Sequence, residues 1–383
     1  MRIGIDAHHI NGKPQGSRSH LIDLLRALTR VAKEEELHVY SFLPEQTRER
    51  LALDTDADER LRHHRLFPTS ARLRLPLVVP FVELRDGLSL FHSQYIAPPF
   101  ASVPDVVTIH DVLFESHPHL FEGAFSSRSV RLIRRSARRA RVVFTVSEFS
   151  RHEILERYEL DEATVLVTPN AIDTDRFRPE APSDDGEGAG ENGERELRVR
   201  HLLDGPYVLN VGRIEPRKNL ERLFRAFARA KQKIDPKLQL AIVGARDFGH
   251  ERILAEANAL GDSVRYLETV PDEELVALYR HAVALVYPSL VEGFGMPVLE
   301  AMACGTPVLC SRGGALPDVA GEAAEYVDAE SEEDIETGLV RVSSDSTLRT
   351  KLREAGLARV KLFSWDETAR KTLAGYHLAT GQN

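Results

Sequence analysis

This 383-residue sequence predicts two doubly wound α/β domains, each built on a parallel sheet. Three observations carry that prediction. Short, continuously apolar runs alternate with amphipathic helical stretches along nearly the whole chain. One acidic, Gly-rich segment, 179–196 (PEAPSDDGEGAGENGERE), interrupts the alternation and has too few apolar side chains to order itself. The length on either side is enough for a separate core. The expected division is residues 1–178, a flexible insertion over 179–200, a second domain over 201–362, and a terminal helix over 363–383.

In the first domain RIGIDA, LHVYSFL, SLFHS, DVVTIHD, VVFTVS and TVLVTP read as strands, and SHLIDLLRALTRVAKE as a helix. In the second, YVLNVGR, LQLAIVG, VRYLE, AVALVYPS and TPVLCS are strands and NLERLFRAFARAKQK a helix. Such folds bind ligands beyond the carboxyl ends of their strands, so two of them facing each other predict a site in the intervening cleft.

Bulk composition narrows the function. The chain is 42% hydrophobic and 28% charged, as ordinary globular proteins are, and its net charge of −9 argues against a general polyanion binder. Two cysteines, Cys304 and Cys310, argue for a reducing compartment rather than a disulfide framework. The start, MRIGIDAHH, reads as a strand rather than a signal peptide, and no apolar run approaches the roughly 18 residues of a membrane span. A cytoplasmic location is expected.

The densest chemistry lies in EGFGMPVLE, residues 292–300. An apolar strand precedes it, and PVLEAMACG follows as a helix, with Pro297 suited to its first turn and Gly305 to the position past its end. A strand, a Gly-rich turn and a helix start point backbone N–H groups and a positive dipole end at one place, which suits a phosphate. Gly293 and Gly295 allow close approach, while Glu292 and Glu300 can each accept hydrogen bonds from sugar hydroxyls. Phosphate pocket and diol-reading carboxylates together suggest a sugar nucleotide. The bland alternative is a tight turn with solvated glutamates.

Upstream, YVLNVGRIEPRKN ends a strand at Gly212–Arg213 and places Lys218 where a helix begins, so the two cations could clamp a diphosphate or merely be solvated. The dinucleotide fingerprint GxGxxG is absent there. In the other domain, DVVTIHD sets His110 at a buried strand's carboxyl end, to touch a sugar hydroxyl or to cap the strand. Gly16 sits in the loop after the first strand, where its N–H could meet a phosphate or simply turn the chain. No cluster has zinc-ligand spacing and no HExxH occurs. Two basic segments remain. Seven arginines fall between Arg128 and Arg141, and Arg72 and Arg74 flank Leu73, Leu75, Leu77 and Val78. Each is either a solvated face or a contact for anionic lipid or a phosphorylated acceptor.

Together these motifs resemble glycosyltransferase family 4, retaining enzymes of the GT-B fold, over most of the chain. EGFGMPVLEAMACGTPV followed by SRGGALPDVAGEAA is the most specific part, and GRIEPRKN, TIHD, VFTVSEFSR and TPNAID support it. The resemblance implies that Arg213 and Lys218 bind the donor diphosphate, that Glu300 holds the ribose, and that Glu292 with Gly293, Phe294 and Gly295 holds the transferred sugar. His110 would touch that sugar from the other domain, and the last helix would cross back to the N-terminal domain. Gly212, Val270, Met296, Pro297 and Val298 complete the implied donor pocket, with Gly16 on the opposite side. Here Gly16 is followed by Ser17–Arg18 rather than a denser glycine pattern. His110, Arg213, Lys218 and Glu292 form the implied catalytic group.

The implied reaction moves a hexose, mannose favoured, from GDP-mannose or a UDP-sugar to a carbohydrate or lipid-linked acceptor. No cofactor or metal is expected, since no DxD-like motif sits at a strand end and the cations stand in for one. No nucleic acid partner is expected, and peripheral contact with the inner face of an anionic membrane is. A nucleotide-sugar epimerase, a non-catalytic nucleotide-sugar-binding protein and an NAD-dependent enzyme are the competing classes.

Overall fold

The computed structural model describes residues 1–12, 16–121, 126–180, 197–198 and 200–381, so most of the acidic segment at 179–196 lies outside the described residues. The chain divides into two compact units, Met1–Ser116 with Gly123–Ala171 and Phe363–Asn383, and His117–Glu122 with Ile172–Leu362.

The first unit carries strands β1 (Arg2–Asp6), β2 (Glu36–Ser41), β3 (Leu61–Arg65), β4 (Leu90–Gln94), β5 (Asp105–Thr108), β6 (Val142–Thr145) and β7 (Val165–Val167). They form one parallel sheet in the order β3-β2-β1-β4-β5-β6-β7. The second unit carries β8 (Tyr207–Val211), β9 (Gln239–Val243), β10 (Val264–Leu267), β11 (Leu285–Tyr287), β12 (Val308–Ser311) and β13 (Glu325–Val327). Their order is β10-β9-β8-β11-β12-β13, again parallel throughout. The strand order reverses between β1 and β4 in one sheet and between β8 and β11 in the other. These are the switch points at which such folds bind ligands.

Central strands such as RIGID and LQLAIVG are buried on both faces, which is why they read as unbroken apolar runs. Two edge strands escape that rule. β3, LRHHR, buries only its first residue fully, and β13 has three residues, so neither shows the apolar run that announces a strand.

Helices cover the sheets by the expected period. Leu220–Ile234 buries Leu220, Leu223, Phe224, Ala226, Phe227 and Ala230 against its sheet. Truncating Phe224 to Ala there would cost about 3–5 kcal/mol. The helix Trp365–Thr380 belongs to the first unit, where Ala369, Leu373 and Tyr376 enter its core and Asp366 pairs with Arg30 at 2.6 Å.

Of the two basic segments, the arginine-rich one keeps Arg128, Arg131, Arg135, Arg138 and Arg139 at the surface, and the other differs from the sequence reading. The helix Ser127–Arg139 uses three of its arginines internally: Arg134 pairs with Glu115 (2.7 Å), Arg138 with Glu159 (2.5 Å) and Arg139 with Asp105 (3.5 Å). In the other segment Arg74 and Leu75 are buried rather than on the surface. Arg74 donates to the Thr69 carbonyl, lies over the Phe42 ring and sits 3.9 Å from Asp6.

Candidate functional site

The second unit assembles its site where β8 and β11 end. After β8 the chain runs through Gly212 and Arg213 into the short turn Pro216–Lys218, and Asn219 opens the next helix in a left-handed conformation (φ 59°). The Asn219 amide donates to the carbonyls of Pro288 (3.0 Å) and Ala329 (2.6 Å), which pins this turn to the segments after β11 and β13. Lys218 is thereby held inward and buried.

After β11, Glu292 makes an isolated parallel bridge with Gly314, and its carbonyl accepts from Ala315 N–H at 2.9 Å. Gly314 has φ 64°, and a Cβ there would lie 2.3 Å from the Glu292 carbonyl oxygen, so only glycine lets the two segments meet. Gly295, at φ 103°, turns the chain into the helix Met296–Cys304, and a Cβ there would strike Leu316 at 2.6 Å. Gly305 closes that helix at φ 76°.

These constraints bring Lys218 and Glu292 together. Lys218 Nζ donates to Glu292 Oε1 (2.6 Å) and to the Tyr287 hydroxyl (2.5 Å). Arg217 Nη1 donates to Glu292 Oε2 (2.5 Å), and Arg217 also pairs with Glu215 at 2.7 Å. Burial alone would raise the Glu292 pKa, but Arg217 and Lys218 outweigh it and lower the carboxyl to about 2. Burial and the adjacent Arg217 charge lower Lys218, against the pull of Glu292. Glu292 is therefore a fixed anion, held between two buried cations.

The other expected residues fall as follows. Arg213 is exposed and pairs with Asp247 at 2.8 Å, apart from the Lys218–Glu292 contact. Glu300 is half-buried and accepts from the Tyr279 hydroxyl at 2.6 Å. Burial raises its pKa against that hydrogen bond. Gly293, Phe294 and Gly295 are buried, Met296 and Pro297 half-buried. Pro297 has no N–H, and Val298, buried, donates its own N–H to the Gly295 carbonyl (3.0 Å). Neither backbone position therefore has an N–H to spare for a phosphate. Val270 lies in the segment between β10 and the helix Asp272–His281. An open cavity of about 710 Å³ in this unit is lined by His117, Ser311, Arg312 and Tyr326, beside rather than at the ion set.

Gly16 and His110 belong to the first unit. Gly16 is the first residue of the helix Gly16–Val31, with open space around it. His110 lies two residues past β5, buried, its ring edge-on to His20 at 4.7 Å. Its Nε2 is buried and has no hydrogen-bond partner among the described residues. Burial, then the neighbouring His20, His9 and His92, hold it neutral, well below the usual imidazole pKa. A neutral ring with an unsatisfied nitrogen suits a hydroxyl ligand. His20 Nδ1 is 2.7 Å from Asn170 Oδ1, and His92 bridges the hydroxyls of Tyr376 and Thr108, each at 2.7 Å.

Sequence reasoning missed Arg217, Tyr287 and Tyr279. Arg217 stands beside Lys218 in EPRKN, and two adjacent cations after a glutamate were the available signal. Tyr287 ends an otherwise aliphatic strand run, and its hydroxyl needs a polar partner when buried.

Two doubly wound units in one chain, with an ion set at the second unit's switch point, are the architecture of the GT-B class. The chain belongs to the group 1 glycosyl transferases: that family's model matches residues 194–359, and the model for glycosyltransferase family 4 matches residues 14–176. It is 30% identical to O-antigen chain mannosyltransferase B of Escherichia coli over 291 residues, 76% of this chain and 74% of that one. Among solved structures, sucrose-phosphate synthase from Thermosynechococcus elongatus shares the fold with a TM-score of 0.74 at 22% identity, covering 98% of each chain. HepE of Anabaena, solved with UDP and glucose, does so with a TM-score of 0.73 at 19% identity and 98% of each chain. No helix among the described residues is long and apolar enough to cross a membrane.

Proposed function

We propose that the chain transfers a hexosyl group, mannosyl favoured, from a nucleoside diphosphate sugar to an acceptor hydroxyl, with retention at the anomeric carbon. The observation that carries this reading is the buried Arg217–Glu292–Lys218 set at the β8/β11 switch point, beside the glycine turn and helix start at Gly295. Lys218 and Arg213 meet the donor diphosphate, assisted by the positive end of the helix Met296–Cys304. Arg217 keeps Glu292 in place as Lys218 turns to phosphate, leaving a fixed carboxylate to read the transferred sugar. Glu300 reads the ribose, and His110 Nε2 meets a sugar hydroxyl.

In the reaction, the bond between the anomeric carbon and the β-phosphate oxygen breaks as the acceptor oxygen bonds to that carbon on the same face. The acceptor's proton passes to the departing phosphate oxygen, and the nucleoside diphosphate leaves. The protein's share is to stabilise charge on the leaving diphosphate with fixed cations, which calls for no divalent metal. The likeness to an O-antigen chain mannosyltransferase of Escherichia coli supports mannose and a polysaccharide-chain acceptor. A UDP-sugar is the second donor to try.

Turnover with GDP-mannose and with UDP-sugars, with and without EDTA, tests the reading. Release of GDP dependent on a saccharide acceptor, unchanged by EDTA, is expected. Release without acceptor, or complete loss restored by magnesium, would contradict it.

A further inference from the structure

We propose that the helical run from Ala71 to Arg85 is a docking face for an anionic lipid bilayer. The run consists of Ala71–Leu73, a wider π-helical turn over Arg74–Val78, and Val79–Arg85. Leu73 (51% exposed), Leu77 (63%), Phe81 (60%) and Leu84 (70%) follow one another at intervals of four, four and three residues, which places them on one face. Phe67, 70% exposed, precedes them. The inward face of the same run carries Leu75, Val79, Val82 and Glu83, all buried, so the element is anchored to the core by one side and shows a hydrocarbon stripe on the other.

The charges on this stretch select the partner. From residue 65 to residue 86 the exposed charged side chains are Arg65, Arg72 and Arg85; Arg85 pairs with the half-buried Asp86 at 2.6 Å and Glu83 is buried, so the net positive charge rests on Arg65 and Arg72. The protein as a whole carries −9. A local stretch of exposed cations around an apolar stripe, on a molecule otherwise repelled by anionic surfaces, has the chemistry of a helix lying in the headgroup boundary. Another protein surface would need a matching apolar groove and acidic rim, whereas a bilayer supplies both over any area. This places membrane contact on the apolar stripe of Leu73, Leu77, Phe81 and Leu84, whereas the helix Ser127–Arg139 exposes Arg128, Arg131 and Arg135 but, of its large apolar side chains, only Leu132 at 39%. The inference does not depend on the donor or on turnover.

The test is sedimentation of the full chain with phosphatidylglycerol-containing vesicles and with pure phosphatidylcholine vesicles. Binding to the first, weakened by salt, is expected, with little binding to the second. Leu77→Ser with Phe81→Ser should lower that binding by roughly tenfold, and Arg65→Ser with Arg72→Ser should lower it less and flatten its salt dependence. Both variants should keep the wild-type thermal midpoint and donor turnover on a water-soluble acceptor, because all four side chains are exposed. Wild type that ignores phosphatidylglycerol vesicles at low salt, or an apolar double variant that binds as wild type does, overturns the proposal. So does self-association of the wild type in solution that the apolar double variant abolishes, since the stripe would then be covered by a second copy. Absence of turnover with every donor would defeat the functional reading and leave the vesicle result intact.

Discussion

The first unit buries neutral imidazoles where the second buries an ion set. His20, His92 and His110 lie in the first unit with their pKa values lowered, His20 to about 4 and His92 to about 3, chiefly by burial. In the second, Lys218 and Glu292 are just as buried, yet Arg217 and Lys218 hold Glu292 ionised down to about 2. The same architecture thus offers a polar, uncharged set of donors and acceptors in one unit and a charged one in the other.

The largest expected effect breaks the charged side of the comparison. Glu292→Ala strands Lys218 in a buried site and leaves Arg217 with Glu215 alone, and should cost about 3–5 kcal/mol of stability in urea unfolding. It should lower turnover more than free nucleotide binding, because Glu292 is assigned to the transferred sugar rather than to the nucleotide. Equal stability of Glu292→Ala and wild type would show that the set is solvated.

The next effect separates the two units by pH. A buried imidazole with a lowered pKa contributes stability that is present above about 6.5 and lost as pH falls toward its folded value, at about 1.4 kcal/mol per pKa unit. Glu292, lowered from 4.5 to about 2, contributes stability above 4.5 and keeps it across the interval from pH 7 to pH 5, in which the histidines are already losing theirs. Trp365 is the sole tryptophan, lies in the first unit and sits 5.6 Å from His20. Its fluorescence midpoint in urea should therefore fall between pH 7 and pH 5. Replacing His20 by Asn should shrink the fall, and a midpoint that does not move with pH would remove the contrast.

Smaller effects sharpen the donor side. Arg213→Ala should weaken nucleotide diphosphate binding by about 1–3 kcal/mol, the range of a charge-assisted contact, with little change in stability because its partner Asp247 is also at the surface. Calorimetry with GDP and UDP reads this, and unchanged affinity would take Arg213 out of the site. Tyr279→Phe removes one hydrogen bond to Glu300 and should change affinity by about 0.5–1.5 kcal/mol. A larger loss would mean that the tyrosine touches ligand itself.

Much of the fold was legible because parallel strands buried on both faces are largely apolar, as LAIV in β9 and VVF in β6 are. β3 and β13 were not, since these edge strands, LRHHR and EYV, are polar and only partly buried and so carry no apolar run. The Glu292–Gly295 turn was legible from its glycines and the helix behind it. The partners of its residues were not. Lys218 reads as a phosphate ligand in one dimension, and only the pinning of Asn219 to Pro288 and Ala329 shows it turned onto Glu292. Arg213 and Lys218 read as one clamp, but in the folded chain one answers Asp247 and the other Glu292. On the surface, the pattern ARLRLPLVVPFVELR hides which side faces out, because a π-helical turn shifts the period that would assign Arg74 and Leu75 to solvent.

The most direct test of the donor site is thermal stabilisation of wild type and Lys218→Met over a panel of sugar nucleotides that includes GDP-mannose and UDP-glucose. A ligand at a hundred times its Kd adds about 2.7 kcal/mol, enough to raise Tm by several degrees. We predict that GDP-mannose raises the wild-type Tm most and leaves Lys218→Met nearly unmoved. A wild type that no sugar nucleotide stabilises, or a Lys218→Met variant that responds as wild type does, would contradict the assignment of the donor to the Arg217–Glu292–Lys218 site.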